Sequence, residues 1–251
     1  MALPAPAAQD GFGYTRRIDG WWINPTAIAA SFIVFIVYSS WAAFQPREFA
    51  QFGPYTSPFF SPDLTRIFPG FKWSPALLIL WIPAGFRFTC YYGRKAYYRS
   101  LAFSPQACTV GKGDRDYKGE TGWPWIVNNI HRYFLYIIVI LVVFHWIHFF
   151  DAFVFDGHFG MGLGSLIVAA DTVFLTLYVA SCHSLRHLVG GSVDCFSCVA
   201  GGKGRHHAWK GVSALNVYHN AFFWLSLFTV GFADMYVRLC AMGVWSDVRI
   251  F

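Results

Sequence analysis

The sequence predicts an all-α integral membrane protein with five transmembrane helices, its N-terminus cytoplasmic and its C-terminus external. Three observations carry this prediction. Of 251 residues, 56% are apolar and only 13% are charged, against about 25% charged in a typical soluble domain. The apolar residues gather into five long runs, each able to cross a hydrocarbon core that takes roughly 20 residues. The basic residues gather on one side of those runs, in the positive-inside pattern.

The first run is about Thr26–Phe44. The second, about Ser74–Tyr92, contains Pro75 in its first turn and Pro83 in its middle, the latter tolerable where neighbouring helices cover the freed carbonyls. The third, fourth and fifth are about Ile126–Ala152, Met161–Leu188 and Ser213–Cys240. Residues 1–25 carry Arg16, Arg17 and Asp19 in a Gly- and Pro-containing tail and lack a signal-peptide core. No linker divides the chain, so residues 1–251 are expected to form a single membrane domain.

Orientation follows from the loops. The segment 93–125 carries Arg94, Lys95, Arg99, Lys112, Arg115 and Lys118, and the segment 189–212 carries Lys203, Arg205 and Lys210. The opposite side has fewer, with Arg47, Arg66 and Lys72 before the second run and Arg238 and Arg249 near the end. The two basic loops are therefore expected to be cytoplasmic. The net charge of +6 is accounted for by this topology, which argues against nucleic-acid binding. Pro54, Pro58, Pro62 and Pro69 make the outer loop an irregular cap. Aromatics form 20% of the chain, enough for interfacial belts and for the walls of a pocket that takes a flat ligand.

Chemistry-bearing residues concentrate on the cytoplasmic side. His131 lies near the start of the third run, His183 and His187 near the end of the fourth, and His219 early in the fifth. At about 1.5 Å rise per residue all four sit at a shallow depth, and ionisable residues within a membrane are costly and usually functional. His183 and His187 share one face at i, i+4. Cys90 closes the second run, and Cys108 follows in the loop. Alone, each Cys reads as a small apolar residue and each His as a group reaching for water; together they suggest a cofactor site. Two thiolates and two imidazoles suit zinc or a Rieske-type [2Fe–2S] centre. Haem is the competing cofactor, with His131 and His219 as an axial pair; the first two runs hold no His, so a two-haem pattern is missing. Cys195-x2-Cys198 is a second thiol pair, fit for metal or disulfide exchange. Disulfides are not expected in a reducing compartment. His206 and His207 read as solvated, and His145, His148 and His158 as interfacial.

The strings Phe86–Tyr98, Tyr117–Thr121, Asn129–Phe134, Ser181–His187 and Trp245–Arg249 are similar to the five-helix membrane anchor, or C subunit, of certain bacterial succinate dehydrogenases (complex II). The resemblance covers nearly the whole chain. It implies an anchor in the bacterial cytoplasmic membrane that docks a flavoprotein subunit and an iron–sulfur subunit and passes electrons to a quinone, with menaquinone preferred. A higher oligomer of the complex is a further assembly it allows. Some members of this group carry a membrane-embedded Rieske-type [2Fe–2S] cluster in place of haem b. Carried over, Cys90, Cys108, His183 and His187 would be the cluster ligands, with Cys195 and Cys198 as the fallback pair where Asp194–Cys198 departs from relatives. Arg87, His131 and His219 would donate hydrogen bonds to quinone oxygens. The chain has no GxGxxG fingerprint and is expected to carry no dehydrogenase chemistry of its own. A thiol-redox or zinc-site membrane protein is the alternative from another class.

Overall fold

The computed structural model describes residues 18–64, 74, 76–101, 122–123, 125–191 and 193–251. It is mainly helical, with two short hairpins. Four helices are long and apolar enough to cross a membrane: α1 (Ile23–Ala43), α5 (His131–Asp151), α6 (Leu163–Ala180) and α9 (His219–Ala241). These are the cores of the predicted first, third, fourth and fifth runs. Their outer faces are bare hydrocarbon. Val34 and Val37 of α1 and Ile140 and Val143 of α5 are all exposed, as lipid-facing residues must be.

The predicted second span is corrected to three pieces. α2 (Ala76–Ile79) ends at Leu80, α3 (Trp81–Phe88) follows, and α4 (Tyr91–Ser100) starts after Cys90. Pro83 has no N–H to bond the carbonyl four residues back, so the first break falls where that bond is missing and Pro83 sits in the first turn of α3. The other spans are trimmed in the same way. The fourth gives way after Ala180 to α7 (His183–Arg186) and a π turn over His187–Gly191. The segment 189–212, predicted as a loop, contains most of α8 (Gly202–Asn216), and the chain bends at Val217 and Tyr218 before α9.

The core lies between α3, α5, α6 and α9, built on Phe86, Leu135, Ile138, Leu175, Tyr178 and Phe223. α3 comes close to α5 because Gly85 leaves room for the Phe134 ring, which a Cβ there would meet at 2.2 Å. At the end away from the basic loops, residues 44–64 form the expected irregular cap. A hairpin of β1 (Gln51–Phe52) and β2 (Tyr55–Thr56) leads to a 3-10 turn whose Phe59 and Phe60 pack on Ala42, Ala43 and Ala76. The C-terminal tail closes the same end. Asp247 accepts hydrogen bonds from the Tyr55 and Tyr236 hydroxyls at 2.7 and 2.6 Å and from the Gly164 amide at 2.9 Å. Burial, with the Asp247 carboxylate beside it, pushes the Tyr55 phenol up to about 12, so Tyr55 stays protonated and remains a donor.

Candidate functional site

At the basic end of the bundle the helices open around a cavity of about 610 Å³, lined among others by Cys90, His131, Cys182, His183, Asn216 and His219. The backbone places its four buried or half-buried donors by one device used twice. Cys90 and Cys182 each occupy the residue before a helix, in extended conformation at ψ 134°, where α3 breaks into α4 and α6 breaks into α7. His131 and His219 are the first residues of α5 and α9. Two helix breaks thus turn sulfurs into the cavity, and two helix starts turn imidazoles to meet them.

The contacts pair unlike donors. His131 Nε2 lies 3.3 Å from Cys182 Sγ, and His219 Nε2 lies 3.6 Å from Cys90 Sγ. The other nitrogen of each ring is held by a hydroxyl: His131 Nδ1 by Thr89 at 3.0 Å and His219 Nδ1 by Ser181 at 2.7 Å. Aromatic rings fix the imidazole planes, with Phe86 stacked on His131 at 4.4 Å and Tyr178 on His219 at 5.0 Å. The amides of Leu185 and Ser184 reach Cys182 Sγ. This is the outer-shell support that metal-ligating histidines generally have.

The predicted ligands fall at several places in the structure. Cys90 is in the cavity. Cys108 lies outside the described residues. His183 lines the cavity at its exposed rim, and His187 instead meets Arg132, Nδ1 to Nη2 at 3.2 Å. His183 and His187 remain one helical turn apart, the His187 amide bonding the His183 carbonyl, but the break at Cys182 sets the whole of α7 at the rim of the cavity. Cys195 and Cys198, the fallback pair, are joined to each other in a disulfide, their Cα atoms 5.3 Å apart across a tight turn. His206, expected to be solvated, packs against Phe196 and Trp209. His145, expected at the interface, is buried inside the bundle.

Of the predicted quinone ligands, His131 and His219 belong to the cavity. Arg87 lies deeper, donating from Nη1 to the Phe223 carbonyl and from Nη2 to the Ser226 hydroxyl, each at 3.0 Å. Its guanidinium covers the Tyr178 ring at 4.8 Å. The residue that sequence reasoning missed is Cys182. Its only signal was position, one residue before a His in Ser181-Cys182-His183, as Cys90 is one residue after Thr89.

Among the described residues no three His, Cys, Asp or Glu side chains converge on one ion position. A binuclear cluster asks less of each point, since each iron takes only two protein ligands, and two thiols with two imidazoles are the Rieske donor set. By their donor chemistry, and by the hydroxyls of Thr89 and Ser181 that hold each Nδ1, the residues fit that group.

Comparisons with known proteins agree on a family. The model of the family described as actinobacterial succinate dehydrogenase subunit SdhC matches residues 23–243. A chain in the solved structure of the Mycobacterium smegmatis Sdh1 complex in the apo form is 36% identical, with 98% of each chain covered and a TM-score of 0.82. No curated protein matches the chain.

Proposed function

The chain belongs to the actinobacterial SdhC family, the membrane-anchor subunits of succinate dehydrogenase, and from this we propose that it relays electrons to a quinone through a Rieske-type [2Fe–2S] site at Cys90, Cys182, His131 and His219. Other subunits of complex II are its partners. The observation that carries the proposal is the convergence of two thiols and two imidazoles on one cavity, with Thr89 and Ser181 holding each Nδ1. Nδ1 held in this way leaves Nε2 to bind metal.

Bound there, a mixed-ligand [2Fe–2S] group supplies one-electron transfer at a potential raised by its neutral imidazoles. The chain's own residues do the rest. Phe86 and Tyr178 lock the imidazole planes. The helix breaks at Thr89 and Ser181 keep both sulfurs at the cavity wall. Leu135, Ile138 and Phe223 pack with Cys90 and Cys182 in one buried apolar cluster. Electrons enter from an iron–sulfur subunit that accompanies a flavoprotein subunit, both docked on the basic end, and leave to a quinone, menaquinone being preferred. The quinone is not expected to touch His131 or His219, whose nitrogens are already engaged; Arg87 remains its candidate donor.

The purified complex, reduced with dithionite, is expected to give a Rieske-type paramagnetic signal beside those of its partner's clusters, and no Soret band from this chain. A Soret band lost in His131→Ala would establish haem b instead. Silence in both spectra would return the chain to a purely structural anchor.

Two further outcomes follow. Reporter fusions in a bacterial cytoplasmic membrane are expected to read cytoplasmic after Lys118 and Lys203 and external at Phe251; a cytoplasmic C-terminus would overturn the orientation. Lys95 and Arg99 are exposed on α4. Reversing both to Glu puts repulsion, worth several kcal/mol for like charges at an interface, where a partner docks. Membranes carrying this variant should shed the hydrophilic subunits on washing at low salt. Retention with unchanged quinone reduction would exclude α4 as the dock.

A further inference from the structure

Two smaller cavities, sharing no lining residue with the candidate site, lie towards the hairpin end. One, of about 120 Å³, has mostly apolar walls drawn from α1, α3, α5, α6 and α9. Its polar lining is Ser39, Arg87 and His145, with Arg87 nearest the candidate site. The other, of about 10 Å³, lies under the cap and is lined by Ser61, His145, His148, Asp171 and Thr172 among others. His145 lines both and forms the wall between them.

The residues around this wall are unusual for the interior of a membrane protein. Asp171, midway along α6, is buried, and its Oδ1 has no protein partner. Ser61 Oγ, on the same small cavity, is likewise buried without one. The space between them is about that of a single water molecule. Thr229 lies within hydrogen-bonding reach of the Asp171 carboxyl, and Arg87 within its electrostatic field. His148, beside Asp151 at 3.7 Å, lines the small cavity from the outer side. His145 Nδ1 faces the Leu141 carbonyl at 2.9 Å. That bond uses the ring's N–H, so the neutral ring presents Nε2 as a lone pair, able to take a proton and pass it on. Intramembrane ionisable groups of this kind mark proton or ion routes more often than packing.

We propose that the larger cavity receives the quinone ring between Arg87 and His145, and that Asp171 and His145 deliver it a proton from the hairpin end, opposite the electron entry. The proposal rests on the chain being the quinone-reacting subunit. Two electrons arrive from the partner's iron–sulfur chain. The Nε2 lone pair of His145 takes the Asp171 carboxyl proton, and the new Nε2–H bond then breaks as an O–H bond forms on the quinone oxygen facing it. The Asp171 carboxylate is reprotonated by water at the cap through Ser61. Arg87 holds the second oxygen, which takes its proton from water at the basic end. The sum is quinone, two electrons and two protons giving quinol, one proton from each end.

The test uses the whole complex in sealed vesicles with a pH dye trapped inside. Succinate does not cross the bilayer, so only complexes with the basic end outward turn over, and the dye reads the hairpin end. During reduction of a short-chain quinone, wild type should draw about half its protons from inside. Asp171→Asn and His145→Gln should each slow quinone reduction about 100-fold, the low end of what a positioned acid contributes. The quinone KM should hold, and succinate should still reduce the membrane cluster in both. Co-purification of the hydrophilic subunits checks that each variant assembles. Full activity in both variants, or proton uptake in wild type from the outside alone, overturns the proposal. Absence of the cluster signal in wild type overturns the relay described above, whereas sided uptake that depends on Asp171 would stand without it.

Discussion

Cys182→Ser is expected to abolish the membrane cluster's paramagnetic signal and succinate-driven quinone reduction together, while His187→Ala and Cys195→Ser keep both. The sulfur of Cys182 is buried and fixed, 3.3 Å from His131 Nε2 and reached by the amides of Leu185 and Ser184. Serine preserves the volume and the amide contacts but offers a hard hydroxyl where iron–sulfur chemistry needs a soft thiolate. Loss of one of two ligands on an iron should leave no cluster, so the expected effect is complete. Cys90→Ser, His131→Ala and His219→Ala should behave alike. His187 faces Arg132 at the surface, and Cys195 is joined to Cys198, so neither can reach the cavity without refolding its segment. A signal that survives in Cys182→Ser and vanishes in His187→Ala would restore the ligand set expected from sequence. Partner clusters reducible by succinate in every variant show that the complex has assembled.

The spans were legible because length and apolarity suffice to find them: α5 and α6 fall inside predicted runs, and α1 and α9 overrun theirs by three residues and one. The breaks were less so. Pro83 was visible, but that it ends one helix at Ile79 and begins another depends on which carbonyls neighbours can cover. The bends at Cys182 and Tyr218 carry no Pro or Gly and are tertiary choices. They decided the site. The bend after Ala180 turns Cys182 inward and carries His183 and His187 together to the rim, where His187 meets Arg132. Of the site, Cys90, His131 and His219 could be read from their shared depth. Cys182 could not, because a Cys at the end of an apolar run looks like packing. His145 was misplaced for a similar reason: the neighbouring Trp146 and His148 suggest an interface, and only the packing of α5 against α6 shows that one of the three faces inward. The structural role of Asp234 and Arg238 also escaped, since an i, i+4 pair near a helix end is ordinarily exposed.

That pair sets the second large expectation. Asp234 and Arg238 of α9 have side chains 0% and 1% exposed and bond at 2.8 Å. The same carboxylate accepts the Tyr38 hydroxyl of α1 at 2.6 Å and the Ser57 hydroxyl of the cap. One charge therefore joins three elements that apolar packing alone would hold loosely. The Arg238 guanidinium has little else: both Nη atoms lack a partner among the described residues, and its nearest support is the Phe60 ring at 5.5 Å. Asp234→Ala strands a buried cation and releases two hydroxyls, so the loss should be about 3–5 kcal/mol, the usual cost of breaking a buried pair from one side. A matched apolar pair should behave differently. In Asp234→Leu with Arg238→Met no charge is left in the low-dielectric interior, and buried ion pairs are often replaced this way at little cost. The double variant should therefore recover most of the stability lost in Asp234→Ala, although α1 and the cap lose their polar ties. Thermal unfolding of the detergent-solubilised complex, followed by release of the hydrophilic subunits, orders the three proteins. A single variant as stable as wild type would mean that the pair is hydrated. A double variant less stable than the single would mean that the hydroxyl contacts from Tyr38 and Ser57, rather than the compensation of Arg238, are what Asp234 contributes.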